Sequence, residues 1–242
     1  MDMLTDKNAI IYGGGGAIGG AVARAFGAAG ANVFVCGRTQ EKLDAVAADC
    51  AAAVAVLDAY DEAAVEAHAA SVGRIDVSMN VISDPYTHGV SLLEMSVDDY
   101  VAPPAGLVRT KFITARAAAR RMVEQPDGGV ILTFGGTGAP PRDYKMGGTQ
   151  VAFDAVESMR RQFSTELGPR GVRWITLITS GIPGSASTLP EEVRQGMVDG
   201  TLTGREVTLE DVGAVAAFAA SDGARSLTAA TLNVSAGAIV DF

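Results

Sequence analysis

Apolar and polar positions along the chain alternate between two patterns. Short apolar runs of strand length predict seven β-strands, at residues 9–12, 32–36, 53–57, 75–81, 129–134, 172–178 and 231–234. Helical patterns rich in alanine lie between them, at residues 17–30, 40–48, 61–71, 97–125, 149–167 and 209–220. Strand–helix alternation is typical of parallel βαβ units. The chain is therefore predicted to be one α/β domain, a Rossmann-type doubly wound parallel sheet with helices on both faces.

The segment Ala-Ile-Ile-Tyr-Gly-Gly-Gly-Gly-Ala-Ile-Gly-Gly at residues 9–20 joins the first predicted strand to the first helix. Gly13 suits the tight turn, Gly15 and Gly16 let a ligand approach the backbone, and Gly19 permits close helix–strand packing. A glycine turn at a helix N-terminus is typical of pyrophosphate binding, because backbone N–H groups and the helix dipole both favour an anion. The sequence therefore predicts a dinucleotide site here.

Three irregular segments, residues 83–96, 135–148 and 180–204, each follow a predicted strand. Ligands of open parallel sheets bind beyond the carboxyl ends of the strands. We therefore expect these three segments to form the walls of the pocket.

Composition excludes several functional classes. The 242 residues are 48% hydrophobic and 19% charged, which is enough for one large core. A net charge of −9 argues against a nucleic-acid partner, and no apolar run has the length of a membrane span. The polar start carries no signal-peptide pattern, and Cys36 and Cys50 have neither disulfide nor metal-ligand spacing. We expect a cytoplasmic protein that binds no metal.

Several motifs together resemble the short-chain dehydrogenase/reductase family over essentially the whole chain. The glycine motif TGxxxGxG is matched at residues 12–19, with Tyr12 in place of Thr and Ala17 in place of the middle Gly. The family's Asp-Val-Leu-Val-Asn-Asn-Ala-Gly segment is matched at residues 76–83, where of the paired Asn only Asn80 survives. The stretches at residues 166–173, 180–183 and 232–237 also match the family.

The resemblance implies a set of residues that bind a nicotinamide dinucleotide. Asp58, after the third strand, would contact the adenine, and Ile182 would lie near the nicotinamide. The full set is Gly13, Gly15, Gly16, Ala17, Ile18, Gly19, Arg38, Thr39, Asp58, Ala59, Asn80 and Ile182.

The residues after the second strand bear on the choice between NADP(H) and NAD(H). Family members that prefer NAD(H) carry an acidic residue there, whereas this chain has Gly37, Arg38 and Thr39. An Arg can pair with a 2′-phosphate through two hydrogen bonds. We therefore favour NADP(H), the alternative being that Arg38 is a solvated loop residue.

The family's Asn-Ser-Tyr-Lys catalytic tetrad is not found at its expected positions. Ungapped counting from the neighbouring motifs puts Leu107 at the Asn position and Gly136 at the Ser position. Thr149 stands at the Tyr position and Phe153 at the Lys position. These side chains provide neither a phenol nor an ammonium, so hydride transfer would need an atypical proton donor.

Other residues of the predicted pocket loops are candidate proton donors. Tyr144 precedes the Thr149 helix, and His88 lies in the loop after the fourth strand. Thr149 itself retains a hydroxyl. The alternative interpretations are that Tyr144 packs or contacts substrate and that His88 is solvated. His68, in the helix at 61–71, is expected at the surface.

Three functional hypotheses remain open. The first is an NADP(H)-dependent oxidoreductase acting on a carbonyl, enone or alcohol small molecule. The second is a non-redox enzyme on the same scaffold, such as a cyclase, dehydratase or isomerase. The third is a catalytically silent nucleotide-binding subunit.

The resemblance also implies an assembly and a lid. Family members commonly form homodimers or homotetramers, here through the helices at 97–125 and 149–167. An amphipathic helix at 189–198 is predicted to cover the substrate, within a lid at about 183–205. The pair Pro103-Pro104 is expected to distort or restart its helix.

Overall fold

The computed structural model describes residues 3–83, 89–135, 145–185 and 189–240. Within this part of the chain, seven parallel strands form one sheet in the order β3-β2-β1-β4-β5-β6-β7. The strands are β1 Asn8–Tyr12, β2 Asn32–Gly37, β3 Ala53–Val56, β4 Val77–Asn80, β5 Gly129–Gly135, β6 Val172–Thr179 and β7 Ala230–Val234. The predicted fold is confirmed, with strand limits that shift by one or two residues.

The connecting helices pack on both faces of the sheet. They are α1 Ala17–Ala28, α2 Gln40–Cys50, α3 Glu62–Val72, α4 Val97–Met122, α5 Gly148–Leu167, α6 Glu191–Asp199 and α7 Leu209–Ala220. Phe26 of α1 and Val212 of α7 are buried in the core on one face. Val65 of α3 and Ile113 of α4 are buried in the core on the other, beside Trp174 of β6. Strands buried on both faces explain the continuous apolar runs of the sequence.

The chain changes direction across the sheet at β1. Tyr12 at the end of β1 pairs in register with Cys36 of β2 on one side and with Asn80 of β4 on the other. From β1 the chain first continues to β2 on one side of that strand, and it later returns to β4 on the other side. A crevice therefore opens beyond the carboxyl ends of β1 and β4. Such a switch point is where open α/β sheets bind ligands.

The α4 helix runs through Pro103 and Pro104 as one element, so the predicted restart is wrong. The two prolines lack the N–H groups that would donate to the carbonyls of Asp99 and Tyr100. Gly148, the first residue of α5, packs directly against the Tyr100 carbonyl, where any Cβ atom would collide. The contact between α4 and α5 therefore lies where α4 lacks hydrogen bonds of its own.

Neither α4 nor α5 has the uninterrupted apolar length that a membrane span needs, and the same holds for the other helices within the described ranges.

Candidate functional site

The glycine turn between β1 and α1 has the geometry of an anion-binding loop. Gly13 has φ +84°, and the N–H groups of Gly13 and Gly14 donate to the Cys36 carbonyl at 2.9 and 3.1 Å. Gly19 lies against the Gly13 carbonyl so closely that a Cβ atom could not fit. Gly16 is exposed and extended, and as the residue before α1 it provides no side-chain cap. The N–H groups of the first helical turn are thus left for a ligand.

A first cavity of about 350 Å³ lies beyond the ends of β1, β2 and β3. The predicted cofactor residues that line it are Gly13, Gly15, Gly16, Arg38, Thr39, Asp58 and Ala59. Asp58 is partly committed to the protein, because its Oδ1 accepts the Tyr60 N–H at 3.0 Å. Thr39 precedes α2, but its side chain makes no capping hydrogen bond. The first cavity therefore combines a basic rim with one carboxylate.

Lys42 also lines the first cavity and was missed in the sequence. It lies on α2, one turn after Arg38, and its side chain is exposed. Its stem packs close to Gly15, where a Cβ would approach the Lys42 Cβ to 3.0 Å. The signal that could have identified Lys42 is its place in the first turn of the helix that follows Arg38. Two cations, rather than one, thus flank this cavity.

Tyr12, Cys36 and His68 form a buried group beneath the first cavity. The Tyr12 hydroxyl has no hydrogen-bond partner, and burial, with Cys36 and Glu66 adding to it, raises its pKa far above the usual value. Burial raises the pKa of the Cys36 thiol to about 12. The His68 ring lies 3.6 Å from Cys36 Sγ and edge-on to Phe34, so it is half-buried and its predicted surface position is wrong. None of these groups ionises readily near neutral pH.

A second cavity of about 540 Å³ adjoins the first and shares Gly13, Gly16 and residues 81–83 with it. Its predicted cofactor residues are Gly13, Gly16, Ala17, Ile18, Gly19 and Ile182. Its remaining lining includes Leu107 from α4, together with Thr149 and Phe153 from α5. The glycine turn is thus the common wall of the two cavities.

Asn80, another of the predicted cofactor residues, makes its side-chain hydrogen bonds within the protein. Its side chain is buried, its amide nitrogen donates to Thr114 Oγ1 at 3.0 Å, and its Oδ1 accepts the Ile82 N–H at 3.0 Å. Among the predicted cofactor residues it is the one that lines neither cavity. Asn80 therefore holds the backbone of Ile82, which lines both.

Three of the four residues that ungapped counting assigns to the tetrad, Leu107, Thr149 and Phe153, line the second cavity together. Leu107 and Phe153 pack together with Ala152 and Val156 in a small apolar cluster. Thr149 is buried, and its hydroxyl oxygen has no hydrogen-bond partner. A buried hydroxyl without a hydrogen bond is costly. The Thr149 hydroxyl is therefore a group that a bound ligand could satisfy.

The other candidate catalytic residues lie outside the described residues. These are Tyr144, His88 and Gly136, with their neighbours at 84–88 and 136–144. The flanking residues are described: the Gly89 N–H donates to the Lys145 carbonyl at 3.1 Å. The two loops that carry Tyr144 and His88 therefore come together at their ends.

The segment after β6 covers part of the second cavity. Helix α6 spans Glu191–Asp199, close to the predicted 189–198, and Leu189 and Met197 line the cavity. The Met197 methyl packs on Gly181, where a Cβ would lie 3.0 Å away. Arg194 donates two hydrogen bonds to Glu206, at 2.9 and 2.7 Å. These contacts hold α6 over the cavity.

Comparison with known proteins gives consistent similarities. Residues 15–238 match a family model described as enoyl-(acyl carrier protein) reductase. An uncharacterised oxidoreductase of Mycobacterium tuberculosis (strain CDC 1551 / Oshkosh) is 31% identical over 98% of this chain and 94% of its own. The meso-2,3-butanediol dehydrogenase of Serratia marcescens is 30% identical over 96% and 94%. A short-chain type dehydrogenase/reductase from Mycobacterium marinum has the same fold, with a TM-score of 0.87 at 23% identity, covering 98% of this chain and 97% of its own.

Proposed function

Because this chain belongs to the short-chain dehydrogenase/reductase family, we propose that it uses NADP(H) to oxidise or reduce a small molecule that carries a carbonyl, an enone or an alcohol. One observation carries the proposal: the glycine turn is the common wall of two adjoining cavities. An extended dinucleotide fits that arrangement, with its pyrophosphate at the turn and its two ends in the two cavities.

The turn fits a pyrophosphate in detail. A methyl group at Gly16 would meet only the Gly13 carbonyl, at 3.4 Å, so the space beside the helix N-terminus is open. The backbone N–H groups of Ala17 and Ile18 belong to the uncapped first turn of α1. The residues that would hold the dinucleotide are Gly13, Gly15, Gly16, Ala17, Ile18, Gly19, Arg38, Thr39, Asp58, Ala59 and Ile182.

The charges of the first cavity support NADP(H) over NAD(H). Arg38 and Lys42 both line it, and a 2′-phosphate would find a planar guanidinium and a flexible ammonium there. The carboxylate of Asp58 accepts a backbone N–H at Tyr60, which occupies part of its acceptor capacity. We therefore assign Arg38 and Lys42 to the phosphate.

The second cavity would hold the reacting carbonyl. When bound, NADPH supplies a hydride to the carbonyl carbon, and a proton must reach the carbonyl oxygen to complete the alcohol. The Thr149 hydroxyl, buried and unpartnered, would donate a hydrogen bond to that oxygen. An aliphatic hydroxyl is a weaker acid than a phenol, so we expect an atypical donor, with Tyr144 and His88 as the candidates that pass on the proton.

A second candidate function rests on the apolar character of the tetrad positions. Leu107 and Phe153 can neither exchange a proton nor carry a charge. A non-redox cyclase, dehydratase or isomerase would use the same cavity with His88, Asp143 or Tyr144 instead. A catalytically silent nucleotide-binding subunit would need only the first cavity and the glycine turn.

We further propose that the chain forms a homodimer or homotetramer through α4 and α5. Val101 and Phe112 of α4 and Val151 of α5 are apolar side chains exposed on these helices. Burying them against a second copy would remove apolar surface from water. The segment at about 183–205 is proposed as the substrate lid.

Calorimetric titration with NADPH and NADH, followed by NADPH oxidation with a panel of aldehydes, ketones and enones, tests the function. Binding of NADPH with turnover of at least one substrate is the expected result. Binding without turnover would favour the silent subunit or a non-redox enzyme. Absence of binding by either dinucleotide would overturn the proposal.

A further inference from the structure

We propose that Lys111 makes the site prefer the reduced dinucleotide, NADPH, over the oxidised form, NADP⁺. The inference rests on the proposed function and adds the redox form of the cofactor that the site selects. It is drawn from the position of one buried ammonium group. Lys111 is 1% exposed, and its Nζ atom donates to the Ile82 carbonyl oxygen at 3.3 Å.

The ammonium lies on the side of the crevice where the nicotinamide is proposed to bind. The first cavity lies beyond β1, β2 and β3, whereas Ile82 follows β4, on the other side of β1. On α4, Leu107 lines the second cavity one turn before Lys111. Lys111 thus approaches the second cavity from behind its wall and contacts the backbone of Ile82, which lines it.

The position of the ammonium is fixed by contacts between β4 and α4. Asn80 Oδ1 accepts the Ile82 N–H at 3.0 Å, and the Asn80 amide donates to Thr114 Oγ1 at 3.0 Å. Thr114 lies three residues after Lys111 on α4. The fold therefore sets the place of this charge relative to the cavity wall, and binding requires little reorganisation of it.

A fixed positive charge distinguishes the two forms of the dinucleotide. Both forms carry the same phosphates, but the nicotinamide ring is uncharged in NADPH and carries one positive charge in NADP⁺, after a hydride has passed to the substrate. The Lys111 ammonium repels the charged ring only. Because Lys111 is buried, salt screens this repulsion little. The oxidised product is therefore released more readily, which favours the direction of reduction.

The cations of the first cavity act differently. Arg38 and Lys42 line that cavity, and the 2′-phosphate assigned to them is present in both redox forms. Their contribution therefore cancels in the ratio of the two dissociation constants, whereas the contribution of Lys111 does not. An Arg38 variant is thus a matched control for a Lys111 variant.

Calorimetric titration with NADPH and with NADP⁺ tests the inference through this ratio. The dissociation constant of NADP⁺ divided by that of NADPH is expected to fall at least about threefold in Lys111→Met. Arg38→Ala should weaken the binding of both forms and leave the ratio unchanged. If both forms bind to Lys111→Met with the ratio of the unmodified protein, the inference is overturned and the proposed function stays in place.

Two further variants separate the charge of Lys111 from its hydrogen bond. Lys111→Gln keeps a donor without the charge and should lower the ratio as Lys111→Met does, and it carries the test if Lys111→Met does not fold. Lys111→Arg keeps the charge and should retain the ratio of the unmodified protein. A ratio fully restored in Lys111→Gln would show that the hydrogen bond to Ile82 determines the preference, which would overturn the inference.

Turnover separates this inference from the proposed function. A ratio that falls in Lys111→Met, in a protein that reduces none of the aldehydes, ketones and enones, would uphold the preference for the reduced form and overturn the redox function. Absence of binding by both NADPH and NADP⁺ would overturn the inference and the proposed function together.

Discussion

The ammonium of Lys111 lies 3.3 Å from the carbonyl oxygen of Ile82, although its side chain is almost completely buried. The Ile82 N–H is held from the other side by Asn80 Oδ1 at 3.0 Å. Ile82 lines both cavities, so a buried cation of α4 and a buried amide of β4 together fix the backbone beside the proposed dinucleotide. Neither side chain lines a cavity itself, which makes both positioning residues.

Lys111→Met is expected to weaken NADPH binding about three- to tenfold. The change keeps the apolar stem and leaves the Ile82 carbonyl without this donor, so the backbone beside the groove loosens. Calorimetric titration measures the effect. Lys7→Met, which breaks the ion pair between half-buried Lys7 and exposed Asp222, is the control and should leave the affinity unchanged. Equal affinities in both variants would contradict a positioning role for Lys111.

Gly16→Ala and Gly19→Ala form a matched pair that separates binding from folding. A methyl at Gly16 has room within the protein but enters the shared wall of the cavities, so NADPH affinity should fall at least about tenfold with Tm unchanged. A methyl at Gly19 would collide with the Gly13 carbonyl and should destabilise the fold by about 1–3 kcal/mol. Thermal unfolding with NADPH titration measures both. Normal affinity in Gly16→Ala would refute the proposed pyrophosphate position.

Arg38→Ala is expected to weaken NADPH binding about 10- to 100-fold and to leave NADH binding nearly unchanged, because charge-assisted bonds to a 2′-phosphate are lost. Lys42→Ala should act in the same direction with a smaller effect, since an exposed ammonium makes a less directional contact. Dissociation constants for both dinucleotides give the ratio. Tighter binding of NADH than of NADPH by the unmodified protein would contradict the assignment.

Thr149→Val removes the unpartnered hydroxyl at nearly constant volume. We expect kcat/KM to fall at least about tenfold, with NADPH affinity unchanged and a stability gain of about 1 kcal/mol, because a buried hydroxyl without a bond is costly. Thr149→Ser keeps the hydroxyl and should retain most of the activity. Steady-state kinetics and thermal unfolding provide the two readouts. Full activity in Thr149→Val would exclude a role at the carbonyl oxygen.

The pH dependence of stability should contain a contribution from His68. Burial lowers its pKa, so the unfolded chain binds a proton more readily than the folded one. Stability is therefore retained above about pH 6.5, the usual His value, and falls as the pH drops below it. Tm should fall between about pH 7 and pH 5.5, and less so in His68→Gln. Asp211 and Asp222, whose pKa values are lowered, lose their contribution only below about pH 4. An equal fall of Tm in the unmodified protein and in His68→Gln would contradict the assignment to His68.

The sequence alone determined the fold, because its information is local. Apolar runs of strand length between alanine-rich helical patterns require parallel βαβ units, and seven strands in one sheet were found in the described chain. The glycine turn was also predictable from the sequence, because the positive φ of Gly13 and the close packing of Gly19 each require glycine. Ungapped counting also brought Leu107, Thr149 and Phe153 to one cavity.

Only the tertiary structure decided what surrounds those positions. Asn80 and Lys111 are 31 residues apart in the sequence. No local pattern indicates that both form hydrogen bonds with the backbone of Ile82. The α4 helix continues through its two prolines, and the residue that packs against the Tyr100 carbonyl there is Gly148, which α5 brings from a distant part of the chain. Periodicity specifies which face of an element is buried, whereas the identity of a side chain's partner depends on how distant elements pack against one another.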